Sequence, residues 1–404
     1  MNLFASVVTI ISVAVFFTNI PNYTYGQHGL MVPYLWVSMF AVISIPLLIR
    51  VVSESNVLGS PVISWCFLYI LVTILWFIPS SQNDVAWQEV RSRALTVIEL
   101  MMFLMVFASE GMNRLARQVL VVGVLLGVGL NIYELFVPLS FSPIIGRSAG
   151  MYVNPTTSSF ALVGGMIFAV TVLPRWARGV FILIVGIGVV STFSRGGIIG
   201  WCVASASFVL TKQITSKDVV HAALTGILII GMLVMTRGEE FLDTLNRTGV
   251  INANVEERLS WLTDPSGVQD QSSWARAYVA KRLWDKWAEQ PFLGSGTGAA
   301  YAAFEIPPHN QYLVFMVDHG LIGIMVFPLL ILSVIYEARG EFRLLVMLFG
   351  GIQAVNGFMS HTLLTEPQTL LLFALAATLP ARKTTNVWSH SQRIEQDALS
   401  PQLA

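Results

Sequence analysis

Long apolar windows recur along this chain, near residues 3–20, 31–49, 61–78, 94–109, 118–136, 151–173, 179–193, 196–210, 219–235, 311–335, 343–360 and 364–380. Each approaches the roughly 20 residues a helix needs to cross a ~30 Å hydrocarbon core. In that core each backbone N–H and C=O must be bonded within its own segment, so the windows read as helices. The expected fold class is an all-α polytopic membrane protein with about 12 transmembrane helices. Composition agrees: 11% of the 404 residues are charged, against roughly 25% in soluble domains. The 23 basic and 23 acidic residues cancel, which gives no electrostatic reason to expect a nucleic-acid partner. Leu3 to Ile20 has neither a basic segment before it nor a small-residue cleavage site after it, so it reads as a retained span. Cys66 and Cys202 fall inside apolar windows and read as packing residues.

The windows divide the chain into residues 1–235 with transmembrane helices 1–9, a large outer loop over 236–310, residues 311–380 with helices 10–12, and a disordered tail over 381–404. Orientation follows from Lys and Arg. With the N-terminus inside, each short inner turn is basic, as at Arg50, Arg114, Arg175, Lys212 and Arg339. Both termini are then cytoplasmic and the long loop is outside. Within the loop, Trp274 to Gln290 interleaves Trp274, Tyr278, Leu283, Trp284 and Trp287 with charged residues, the pattern of an amphipathic helix lying at a membrane interface. Pro291 ends it. The glycine run Gly294-Ser295-Gly296-Thr297-Gly298 lacks the preceding strand and the lysine of a phosphate-cradling loop, so it reads as a hinge or a place of close packing.

Of the arginines expected on the outer side, four stand out as candidates to bind an anion. Arg147 and Arg195 sit among small residues, in Gly146-Arg147-Ser148-Ala149-Gly150 and Ser194-Arg195-Gly196-Gly197, while Arg276 and Arg282 lie on the loop helix. Converging guanidinium forks suit the paired oxygens of a phosphate. His309 follows Pro307-Pro308 and precedes the window that opens Asn310-Gln311-Tyr312, so it sits at the membrane mouth. An imidazole near neutrality in pKa, kept unprotonated by neighbouring cations, is a candidate general base. Asp318 and His319 lie inside a window, marking a pocket or a helix contact. His309 and His319 are too far apart along the chain to share a metal, and neither metal nor cofactor is expected.

The run Pro308-His309-Asn310-Gln311-Tyr312-Leu313 through Gly320-Leu321-Ile322-Gly323 resembles the signature of the O-antigen ligase and polymerase superfamily. Ser194-Arg195-Gly196-Gly197, Arg147-Ser148-Ala149-Gly150 with Asn154-Pro155, and the loop segment from Arg276 to Gly296 resemble further motifs of that family, in order. The resemblance implies a bacterial inner-membrane, inverting, metal-independent glycosyltransferase whose large loop and active site face the periplasm. Its donor would be a glycan on undecaprenyl diphosphate, and its acceptor lipid A core or a second lipid-linked glycan. His309 would be the catalytic base. Arg195 and Arg276, with Arg282 and Arg147, would hold the diphosphate, and Asn310, Tyr312, Asp318 and Gly320 would support the pocket. The resemblance leaves open which of Arg276 and Arg282 answers to the family's loop arginine. The leading expectation is an O-antigen ligase. A polymerase shares its donor, and a transporter is disfavoured by the absence of paired repeats or broken helices.

Overall fold

The protein is described by a computed structural model in which residues 3–55, 57–215, 217–218, 271–303 and 307–379 are placed. The expected span over 219–235, the loop up to residue 270 and the tail after 379 lie outside the described residues. Among the described residues there are helices and no strand. In chain order these are α1 (Leu3–Ser12), α2 (Ile20–His28), α3 (Pro33–Glu54), α4 (Pro61–Phe77), α5 (Asp84–Ala108), α6 (Met112–Phe136), α7 (Pro155–Ala169), α8 (Arg175–Val190) and α9 (Arg195–Leu210). After the undescribed stretch come α10 (Gln271–Glu289), α11 (Ala299–Ala302), α12 (Gln311–His319), α13 (Leu321–Glu337), α14 (Arg343–Asn356) and α15 (Pro367–Ala377).

Local sequence explains where the helices start. Ser60-Pro61 and Asn154-Pro155 place a capping side chain before a proline at the first helical position, where its missing N–H costs nothing. Ser194 and Asn310 cap α9 and α12 in the same way, through Gly197 N and Leu313 N.

Among the described residues three helices, Pro33–Ser53, Met112–Phe136 and Pro155–Val172, are long and apolar enough to cross a membrane, and Leu3–Phe17 with Ile20–His28 makes a further pair bent by 45°. Pro61–Phe77, Arg195–Leu210, Leu321–Glu337, Arg343–Asn356 and Pro367–Ala377 are apolar but shorter. The described helices follow the apolar windows closely, yet fewer reach full membrane length than the dozen expected. α7 and α15 form the centre: nearly every residue from Ser158 to Ala169 and from Pro367 to Ala376 is buried, as befits helices apolar on all sides. Outer helices expose large apolar side chains, such as Met39, Val42 and Ile49 on α3, a surface that suits lipid rather than water.

The window expected over 311–335 is broken in two at Gly320. That residue has φ 62° and ψ −138°, a backbone open to glycine, and a Cβ there would lie 2.3 Å from the Phe292 carbonyl. The break exists because the glycine run threads into it. Ser295 N donates to Val317 O at 2.8 Å, Gly296 N to Asp318 O at 3.0 Å and Leu321 N to Phe292 O at 3.3 Å. Close packing therefore accounts for the glycines.

α10 is the amphipathic loop helix. It buries Val279 and Leu283 against Leu313, Val314 and Val317 of α12, while Trp274, Tyr278 and Trp284 stay exposed. Those aromatic rings are free to meet an interface, as amphipathic membrane helices do.

Candidate functional site

The end of the loop is stapled to the end of α14. Gln311 N donates to Gly357 O at 2.8 Å, and the Tyr312 hydroxyl donates to Ala354 O at 2.9 Å. Asn310 is spent on capping α12, accepting from Leu313 N at 3.1 Å. These bonds set His309 beside the turn between α14 and α15. There its ring meets His361 edge to face, 5.7 Å between centroids. Tyr301 also packs on His361, 5.8 Å between ring centroids, with its hydroxyl donating to the His361 carbonyl at 3.4 Å.

His309 and His361 open onto a cavity of about 1040 Å³ whose wall also includes Arg276, Arg91, Asn154 and Glu366. Burial, and then the charge of Arg276, hold the His309 pKa below the usual 6.5. His361 is pushed down to about 4, by burial first and by His309 second. Both rings are neutral at pH 7, so each offers a lone pair, and the charge beside them belongs to arginine. Glu366 is buried at the start of α15, its carboxylate accepting from Thr362 Oγ1 at 2.6 Å, Thr157 Oγ1 at 3.0 Å and Gln368 Nε2 at 3.2 Å.

The other expected residues are distributed around this cavity rather than in its wall. Six residues of helix turn the Arg276 and Arg282 side chains roughly 120° apart. Arg276 lines the cavity. Arg282 lies over the Tyr278 ring, 5.9 Å from its centroid, and borders a separate cleft with Ser80, Asp285 and Glu289. Arg147 and Arg195 belong to two turns that are bonded together: Arg147 Nε donates to Thr192 O at 3.1 Å and Ser148 N to Ser191 O at 3.2 Å. Behind Arg195, Gly196 packs so closely on Met359 that a Cβ would sit 2.4 Å from its sulfur. Met359 is itself part of the cavity wall, which puts the arginine turn directly behind that wall.

Asp318 and Gly320 lie within the buried contact between α5, the glycine run and α12. Asp318 pairs with Arg93 and accepts from Gly298 N at 3.1 Å and Ala300 N at 3.0 Å. Of the two readings of Asp318, pocket or helix contact, the geometry is that of a contact.

His361, Glu366 and Arg91 carry little signal in the sequence that would mark them as site residues. The polar run Ser360-His361-Thr362 interrupts two apolar windows and carries the only available signal. Arg91 lies on α5, and nothing in its sequence neighbours distinguishes it.

The described residues make a helical protein with an apolar exterior and a cavity lined by two histidines and two arginines. Residues 179–327 match the O-antigen ligase family, so the resemblance read from the motifs holds over that segment. No curated protein matches the chain significantly. The match covers somewhat over a third of the chain, and that segment is what is similar to an O-antigen ligase.

Proposed function

We propose that the protein is an O-antigen ligase of the bacterial inner membrane, transferring a glycan from undecaprenyl diphosphate to a sugar hydroxyl of lipid A core, with the cavity facing the periplasm. The observation that carries this reading is the joint presence of His309 and Arg276 on one large cavity, with the imidazole kept neutral beside the cation.

In the proposed step the acceptor hydroxyl attacks the anomeric carbon from the face opposite the diphosphate, inverting the centre. The new bond joins acceptor oxygen to carbon, the carbon–oxygen bond to diphosphate breaks, and that electron pair leaves on the phosphate. His309 takes the hydroxyl proton. Arg276, with Arg91 on the same wall, meets charge that grows on the leaving group, and fixed guanidinium groups let this proceed without a metal ion. Arg195 and Arg147, in the turns behind Met359, would position that wall or reach the diphosphate tail. The alternative acceptor, a second carrier-linked glycan, would make the protein a polymerase.

Purified protein incubated with carrier-linked glycan separates the readings. Product that requires lipid A core is the expected result. A glycan ladder formed without core would make the enzyme a polymerase, and absence of any product would remove the transferase reading.

Because the base must be unprotonated, the acid limb of the rate–pH profile is expected below pH 6.5, where His309 gains its proton in the folded state. Removing the cation with Arg276→Gln should move that limb upward. An acid limb that does not respond would assign the titration to another group.

A further inference from the structure

The cavity extends well beyond the histidines. Its wall follows α5 from Asp84 through Arg91 to Glu99, about 22 Å of helix. Three of the side chains lining it are Tyr152, Gln368 and Glu99, with relative exposures of 5%, 1% and 6%. Each holds a polar atom that is buried and makes no hydrogen bond to any described residue: the Tyr152 hydroxyl, Gln368 Oε1 and Glu99 Oε2. His361 Nδ1 is in the same condition. Orphaned buried polar groups are costly and uncommon, and four of them border one cavity.

Their chemistry is selective. A carboxyl oxygen and an amide oxygen accept hydrogen bonds, and a phenol and an imidazole can accept or donate. A phosphate, which offers chiefly acceptors, gives the carboxyl and amide oxygens nothing to bond. A cationic ligand would donate to them, but the same wall carries Arg91 and Arg276. A neutral molecule with several hydroxyl groups satisfies all four, and Leu95 and Leu370 on the same wall suit the apolar C–H faces of such a ring. The terminal torsions of Glu and Gln are soft, so either oxygen can turn into the cavity.

We propose that the part of the cavity bordered by Glu99, Tyr152 and Gln368 is a binding subsite for a neutral sugar ring, with His361 closing it toward His309. The subsite gives the cavity two ends of different chemistry, guanidinium for the diphosphate and hydroxyl-seeking oxygens for a sugar. Its place in catalysis rests on the transferase reading; its binding does not, and is tested without any lipid.

The test is saturation-transfer NMR on the full-length protein in a detergent that carries no sugar, with free glucose, galactose, rhamnose and N-acetylglucosamine as probes. At least one should receive saturation from the wild type. Gln368→Leu and Glu99→Leu should each weaken it by about tenfold, and Tyr152→Phe should weaken it measurably, while Arg276→Ala keeps the sugar signal and loses binding of bare undecaprenyl diphosphate. Melting temperatures identify any variant that fails to fold, and Tyr152→Phe, which removes one oxygen only, decides the matter if Glu99→Leu does. No signal for any probe with the wild type, or wild-type affinity in both Gln368→Leu and Tyr152→Phe, overturns the proposal. Sugar binding without binding of bare undecaprenyl diphosphate would instead retain the subsite and defeat the donor assignment.

Discussion

His309→Ala is expected to lower kcat by about 10²–10⁴, the usual worth of a positioned general base, while the protein inserts and melts as wild type. The ring is only half-buried at the cavity wall, and its contact with His361 is a single edge-to-face pair, so little packing is lost. Proton removal belongs to the transition state, so kcat and kcat/KM should fall together and KM for the donor should hardly move. His361→Ala should cost much less, because its proposed role is to hold His309 and the subsite behind it rather than to take the proton. Single-turnover measurements on detergent-purified variants distinguish the two. Full activity in His309→Ala would remove the general-base assignment, and equal losses in both variants would mean the pair acts as one structural unit.

Much of the fold is legible in the sequence because the bilayer imposes a simple rule: apolar length and satisfied backbone. The windows at 31–49, 61–78 and 118–136 become α3, α4 and α6 with boundaries close to those expected. The loop helix follows from its interleaved charges and aromatics, although the sequence does not reveal that Val279 and Leu283, with Trp287 beside them, carry its packing while Trp274 and Trp284 face out. The window over 311–335 misleads for a physical reason. Hydropathy registers Gly320 as one mildly apolar residue among many, whereas the event at that position is steric, a second stretch of backbone passing through the gap it leaves.

The site is less legible. His309 and Arg276 stand out because proline, charge and motif mark them, and they share the cavity. His361 and Glu366 come from a turn between two apolar windows, more than 50 residues later in the chain. Gln368 and Glu99 sit inside helices whose neighbours are apolar, where a single polar residue gives no indication of its partner. What joins them is tertiary: α15 packs along α5, with Thr96 Oγ1 bonded to the Leu364 carbonyl, and that contact aligns residues 268 positions apart in the chain.

Asp318→Ala is expected to destabilise the protein by about 3–5 kcal/mol, the cost of leaving a buried charge without its partner. Asp318 is fully buried and Arg93 nearly so, at 0% and 2% of side-chain exposure. Arg93 also reaches Glu89 Oε2 at 3.3 Å and His319 Nε2 at 2.6 Å. The same carboxylate takes Gly298 N and Ala300 N, so its loss strands two backbone donors as well as a guanidinium. Replacing both partners should cost far less than replacing one, since a well-packed apolar pair removes the orphaned charge. Arg93→Met with Asp318→Leu should therefore melt above either single variant, and the coupling in that double-mutant cycle measures the pair. Activity carries a second consequence. The carboxylate fixes the segment that runs from the glycine turn through α11 toward His309, so Asp318→Ala should lose turnover even at temperatures where it remains folded, and the double variant should recover stability without recovering turnover. Recovery of both would mean that the contact serves only to hold α5 and α12 together. Thermal unfolding and turnover measured on the same detergent samples separate these outcomes.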